Sequence, residues 1–338
     1  MRCTRYFLYL LLPAVLLFFT GCKNKNKNTG TPAVITDTNP AYQSLSDSIG
    51  RFPDSAGLYL RRAERLTRDG LHRQAYADYH QAYLLEPGLK TALPLSANLE
   101  TIGRTAEKLR LLSALNEQLP ANRRVERLLA DAYAGSGLAA KALNLYNEML
   151  RKDSSDPETL YEKAMLLEQM KDTAGAIASL KEAYRFQGVD TYGLELAHLY
   201  AEQKNPLALE ICNAVLRQDS LRLLIDPLFI KGIYFANMKQ YQKAIEQFDL
   251  CISRDWKTTD AYLEKGRIYF NMGNFNAALQ TFKLAITVSN TDPDAYFWLG
   301  RCYEAQHHNP DAISNYQRAI SLDKDFTEAR QRIAMLKS

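Results

Sequence analysis

The sequence predicts an all-α protein: a solenoid of about eight helix-turn-helix units closed by a C-terminal capping helix. Three observations carry that prediction. Gly232, Gly266 and Gly300 recur every 34 residues, as do Ala244, Ala278 and Ala312, and Phe248, Phe282 and Tyr316. A further column of Phe235, Tyr269 and Tyr303 keeps the same register, and self-similarity at such a period is the mark of stacked supersecondary units. Gly70, Gly103, Gly137 and Gly273 also fall at one position of the unit, where a helix that must stop and turn needs a left-handed residue.

The elements follow in order along the chain. Residues 1–21 read as a secretory signal peptide. Arg2 and Arg5 precede an apolar run from Tyr6 to Phe19, and small residues close it. As a helix this run would reach about 21 Å, short of the ~30 Å needed to span a bilayer permanently. Residues 22–40 are a polar tether. It starts with the alternating Lys23-Asn24-Lys25-Asn26-Lys27-Asn28 and then turns Thr-, Gly- and Pro-rich, with nothing to bury. As a coil, the 18 residues after Cys22 have an r.m.s. reach of about 21–25 Å and a maximum of about 60 Å. Its lysines suit anionic head groups. Residues 41–55 form an N-terminal cap segment with a short helix over 41–51.

The units run 56–88, 89–122, 123–156, 157–189, 190–224, 225–258, 259–292 and 293–326. Their eighth position is small throughout: Ala63, Ser96, Ala130, Ala164, Ala197, Gly232, Gly266 and Gly300. The twentieth is alanine except at Lys108, and Ala208 fits if the fifth unit loses one residue in its turn. Small residues at both positions let two helix axes approach, and large ones beside them fill the space. Asp156-Pro157 and Asp292-Pro293 place an N-cap acid before a first-turn proline. Residues 327–338 form the capping helix, with Ala329, Ile333 and Leu336 inward and Arg330, Gln331, Arg332 and Lys337 in water.

Composition and charge exclude several functions. The formal charge is +4, but Arg2, Arg5, Lys23, Lys25 and Lys27 supply five positive charges, which leaves −1 on residues 29–338. No basic footprint for nucleic acid remains. Gly135-Ser136-Gly137-Leu138-Ala139-Ala140 imitates a dinucleotide fingerprint but lies in a helix-helix turn rather than after a strand. His72, His80, His198, His307 and His308 show no metal-ligand spacing, and Cys212, Cys251 and Cys302 sit as small apolar residues in separate units. No paired carboxylates, nucleophile set or phosphate loop stands out, so neither catalysis nor a cofactor is expected.

The last unit reads Leu299-Gly300-Arg301-Cys302-Tyr303, followed by Ala312-x3-Tyr316. This resembles the tetratricopeptide repeat, L-G-x2-Y then A-x3-F, and the resemblance covers residues 56–326. It implies a right-handed α-solenoid whose first helices line a concave groove for a protein or peptide partner. Carried onto this register, the groove positions hold Phe229, Ile233, Asn237, Leu263, Arg267, Phe270, Asn271, Phe297 and Arg301. In that reading the asparagines hold a partner's backbone, the arginines its carboxylates and the rings its apolar side chains. Alternatively the arginines pair with Glu264 or Glu304 and the phenylalanines only pack between units. The carboxylate clamp of chaperone-type members is not expected, because its Lys and Asn positions differ here.

The end of the leader, Phe19-Thr20-Gly21-Cys22, resembles the lipobox of bacterial lipoproteins, with Phe19 replacing the usual leucine. That resemblance implies acylation at Cys22 and a membrane anchor. Lys23 in place of a retention aspartate implies the outer membrane of a Gram-negative envelope, with the body facing the periplasm. Together these imply a lipid-anchored scaffold or adaptor. The rival is a nutrient-binding lipoprotein holding glycan or peptide for a transporter. An aromatic platform on a loop would favour the rival, and groove-facing Arg and Asn favour the adaptor.

Overall fold

The computed structural model describes residues 40–337; the signal peptide, Cys22 and the tether up to residue 39 lie outside them. Among the described residues there are eighteen helices and no strand. None of these helices is long and apolar enough to cross a membrane. The chain forms two compact units that part between Gly103 and Arg104. This division falls inside the second predicted repeat, the one with Lys108 in place of the crossing alanine.

The first unit opens with α1 (Pro40–Arg51), which leads into the hairpin of α2 (Ala56–Arg68) and α3 (His72–Leu85); α4 (Leu89–Thr101) completes it. Tyr42 and Ile49 of α1 are buried, and the Tyr42 hydroxyl donates to Asp69. Arg62 ties three helices together. Its Nε and Nη2 donate to the two oxygens of Asp78, each at 2.7 Å, and its Nη1 donates to Ser46 at 3.0 Å.

The second unit begins with α5 (Thr105–Gln118). Six hairpins follow: α6 (Arg123–Gly135) with α7 (Ala139–Lys152), α8 (Pro157–Gln169) with α9 (Thr173–Phe186), and α10 (Asp190–Glu202) with α11 (Leu207–Gln218). The rest are α12 (Asp226–Asn237) with α13 (Tyr241–Arg254), α14 (Thr259–Asn271) with α15 (Phe275–Val288), and α16 (Pro293–Ala305) with α17 (Asn309–Leu322). α18 (Thr327–Lys337) packs on α17. Within this unit each helix packs on the next in chain order, so it is a solenoid of hairpins.

Crossings occur where the small residues stand. Ala142, Ala176, Ala208, Ala244, Ala278 and Ala312 are all fully buried. The one-residue deletion in the fifth repeat is taken up at Asn205, whose side chain accepts from the Leu207 amide at 3.1 Å. In the last three hairpins an aromatic ring from the second helix fills the place of a missing Cβ. A Cβ on Gly232 would stand 2.6 Å from Phe248, one on Gly266 2.5 Å from Phe282, and one on Gly300 2.7 Å from Tyr316.

The first helices end in left-handed caps. At Gly70 (φ +76) the amides of Gly70 and Leu71 bond to the carbonyls of Thr67 and Leu66, the Schellman arrangement. Lys171, Lys204, Lys239 and His307 hold the same place with φ of 64, 59, 58 and 62. Their successors close the same bond, for instance Gln240 N to Phe235 O at 2.8 Å.

Two sequence expectations need correction. Asp292 caps α16 by accepting from the amides of Asp294 and Ala295, but the Asp156 carboxylate makes no such cap. It accepts instead from the Thr159 hydroxyl and pairs with Arg127 at 3.4 Å, because a guanidinium on α6 stands close enough to compete with the neutral amides. In α18, Ala329, Ile333 and Leu336 join the last hydrophobic cluster, and Arg330, Gln331 and Lys337 are exposed. Arg332, expected in water, forks onto Glu304 of α16 at 3.0 and 2.5 Å.

Candidate partner-binding site

The first helices of the last three hairpins, α12, α14 and α16, pack side by side. Helical spacing places Glu264 and Arg267 on one face of α14, and Trp298 and Arg301 on one face of α16, each pair three residues apart. The Arg267 guanidinium lies 4.9 Å from the centre of the Trp298 ring. That of Arg301 lies 5.7 Å from Trp298 and 5.2 Å from Phe270. Phe270 meets Trp298 edge-on at 5.5 Å and Phe275 at 5.2 Å. The result is an indole contacted by two cations, with Phe282 stacked on it and Phe270 at its edge. Such stacking holds long side chains in place.

The two arginines are not equivalent. Arg267 donates to Glu264 at 2.9 Å, so that pair is nearly neutral. Glu304 is taken by Arg332 and by the Tyr316 hydroxyl, and no carboxylate among the described residues lies within ion-pair distance of Arg301. The Nε atoms of both arginines and the indole Nε1 are buried without a hydrogen-bond acceptor. The terminal nitrogens of Arg301 stand as the free cation of the site, held by rings rather than by charge.

Other predicted groove residues are placed differently. Ile233, Leu263 and Phe297 are buried at 1%, 7% and 8% exposure, so they pack the core and do not offer side chains to an occupant. Phe297 is pinned at 5.0 Å to Phe326 and 5.6 Å to Tyr316. Phe229 is half-buried against Phe248 at 5.5 Å. The Asn237 amide donates to the Ala201 carbonyl at 3.1 Å and links α12 to α10 rather than waiting for a partner's backbone. Asn271 is exposed. The physical reason differs by residue: Phe229 and Phe297 turn onto the second helices of their own hairpins, Ile233 and Leu263 join the hydrophobic clusters, and Asn237 bridges to the preceding first helix. Sequence reasoning missed Trp298. Its signal was its place one turn before Arg301 and its being one of two tryptophans in the chain.

A second polar patch joins α6 and α8, where Arg123, Arg124, Arg127, Leu128, Asp131 and Glu158 line an open cavity of about 460 Å³. Here acids and bases neutralise each other. Arg127 pairs with Glu158 and Asp156, and Tyr146 donates to Asp131 at 2.6 Å. The chemistry of the helix-helix turns is unremarkable. Gly137 caps α6 at φ +74 with no strand before it among the described residues. No group of three His, Cys, Asp or Glu there is arranged for a metal. Burial pushes the thiols of Cys212, Cys251 and Cys302 up to about 12, leaving them unreactive.

The titrating groups of this unit oppose each other in sign. Burial raises the carboxyls of Glu162, Glu195 and Glu264, one in each of three first helices. Arg123 and Ser155 hold Asp153 down to about 2. Burial works against Asp219, but bonds from two amides and Arg254 outweigh it and lower its pKa. A raised acid binds its proton more readily folded than unfolded, so its contribution grows as the pH falls through its folded value. A lowered acid contributes above its ordinary value, 3.8 here, and loses that below it. The melting temperature is therefore expected to rise as the pH is lowered from neutral toward the ordinary glutamate value, 4.5, and to drop below the ordinary aspartate value, 3.8. A calorimetric pH series checks this, and a monotonic fall from pH 7 would contradict it.

Comparison with known proteins agrees with this geometry. Three sequence models match: the tetratricopeptide repeat over residues 117–190 and 293–326, and a TPR repeat model over 266–307. No curated protein matches. Among solved structures, a tetratricopeptide repeat protein from Parabacteroides merdae is similar at a TM-score of 0.54 and 16% identity, over 84% of this chain and 99% of that one. The Cut9-Hcn1 hetero-tetramer of the APC/C gives 0.53 at 18% identity, over 88% and 59%. PilW, a type IV pilus biogenesis factor, gives 0.53 at 15%, over 63% and 100%. At these identities the structural likeness speaks for the fold, while the matched 34-residue units speak for the repeat itself. The chain carries tetratricopeptide repeats over residues 117–190 and 266–326, and stacked hairpins of this kind imply a protein-binding scaffold.

Proposed function

We propose that this chain is a lipid-anchored adaptor of a Gram-negative cell envelope, without catalysis, that holds an acidic segment of a protein or peptide partner on α14 and α16. The observation that carries the reading is Arg301: a cation stacked on Phe270 and Trp298 with no carboxylate partner among the described residues. A carboxylate is the natural complement of a guanidinium, which can bind it through two parallel bonds, and aromatic-arginine clusters are where interface energy concentrates. Lipidation at Cys22, a periplasm-facing outer-membrane location and the tether rest on the leader sequence.

Arg301→Glu is expected to weaken partner capture from cross-linked envelopes about 30-fold or more, the scale of a hot-spot residue, with little change in the thermal melt. Trp298→Ala should weaken capture too, but with a lower melt, because the indole also stacks on Phe282. Arg124→Glu, on the second patch, should leave capture intact. Capture that survives Arg301→Glu sinks the site. Separately, Cys22→Ala should move the protein from membrane to soluble fractions, and continued retention would refute the acyl anchor.

The nutrient-binding alternative asks for a loop-borne aromatic platform. Trp256 is an exposed loop ring, but it stands without a second exposed ring beside it on its loop and has the Lys257 ammonium 5.6 Å from its centre.

A further inference from the structure

Between α11 and α12 the chain breaks from the pattern of the other hairpins with the segment Asp219-Ser220-Leu221-Arg222-Leu223-Leu224-Ile225. It is an ordered segment. The Asp219 carboxylate accepts from the amides of Leu223 at 2.9 Å and Leu224 at 3.1 Å. Arg254, at the end of α13, donates to that carboxylate at 2.7 Å and to the Leu224 carbonyl at 2.5 Å. Arg222 is held at φ +55, a conformation that disfavours a side chain. This construction turns Leu221 and Leu223 into water at 76% and 69% exposure. Because Arg254 is bonded to this loop, the next loop, with Trp256 at 60% exposure, belongs to the same edge. Leu250, one turn before Arg254, is exposed as well.

We propose that this edge is a membrane-contacting face, seated in the head-group region of the bilayer that carries the anchor. Apolar side chains fixed on a braced loop have been placed in water at a cost, and a surface that receives them explains the bracing. The occupant follows from chemistry and reach. Leucines project beside a tryptophan and the exposed cations Arg217, Arg222 and Lys257, with Lys257 over the Trp256 ring, the set of residues that interfaces of bilayers collect. Of the acids at this edge, Asp219 binds Arg254, Asp249 pairs with Lys265 and Asp255 accepts from the Lys257 amide, while Asp226 and Asp260 are exposed at the starts of α12 and α14. A tether of at most about 60 Å keeps the body beside a bilayer, so weak insertion of a few side chains suffices. This last step rests on the lipid anchor of the proposed function; the loop geometry does not.

The test uses the full acylated chain in vesicles of phosphatidylethanolamine and phosphatidylglycerol with brominated acyl chains, which quench tryptophan at close range. Trp256 and Trp298 are the two tryptophans, so the quenchable share is expected to vanish in Trp256→Phe. It should fall several-fold in Leu221→Ser/Leu223→Ser while that chain still floats with the vesicles. Equal quenching of wild type and Trp256→Phe on floating protein overturns the proposal. If the acylated chain does not float, the anchor has failed. The face is then judged on the Cys22→Ala chain at high lipid, where Trp256-dependent quenching upholds it and none overturns it. A dimer in lipid-free sedimentation that becomes monomeric in Leu221→Ser/Leu223→Ser also overturns it and assigns the edge to a second copy.

Discussion

Phe282→Ala is expected to cost about 3–5 kcal/mol of unfolding free energy, the usual range for a fully buried aromatic. The ring is completely buried and lies against Trp298 at 6.0 Å in a stacked arrangement. It also fills the volume that a side chain on Gly266 would take. That second role makes a sharper test than the truncation alone. Gly266→Ala gains about 1 kcal/mol of helix propensity in isolation. Here, however, the new Cβ would stand 2.5, 2.7 and 2.9 Å from three ring carbons, and Trp298 blocks the ring's retreat. The single substitution should therefore destabilise. In a Phe282→Leu background the same alanine finds room and should become neutral or stabilising, so the cycle should show favourable coupling. Urea titrations of the four proteins measure it; strictly additive effects would mean the ring does not wedge the two helices.

Asp78→Ala is expected to destabilise the first unit by about 3–5 kcal/mol, because it strands a buried cation. Arg62 and Asp78 expose only 12% and 4% of their side chains, and without the carboxylate the guanidinium keeps only the Ser46 hydroxyl. The effect has a distinctive signature. Both tryptophans lie in the second unit, so circular dichroism should register loss of helix at a denaturant concentration where tryptophan emission is still native. A single coincident transition in the variant would show that the loss is not confined to the first unit.

Much of this architecture was legible because repetition makes packing audible in a single chain. A small residue at the same place eight times can only mean a close approach, and Gly70, Gly137 and Gly273 named their own left-handed caps. Lys171, Lys204, Lys239 and His307 occupy identical caps without announcing them, since the hydrogen bonds of the turn outweigh a side chain's local preference. The candidate site was read less well. The register put Arg267, Phe270 and Arg301 on adjacent helices, and the structure has them around Trp298. It also placed Ile233, Leu263 and Phe297 beside them, although all three are buried in the core. Of the two ion pairs offered as the alternative, Arg267 with Glu264 forms, but Glu304, one turn from Arg301, is reached instead by Arg332, 28 residues on, with better geometry.

The ring-against-glycine wedge has a consequence for how such a chain can grow. Gly232 with Phe248, Gly266 with Phe282 and Gly300 with Tyr316 present the same lock at 34-residue intervals. An in-frame duplication of residues 259–292 would therefore meet a familiar surface on either side and require no new interface. For this end of the protein, length is a heritable variable that copying errors can adjust, and each added copy would extend the reach of the molecule by one brick.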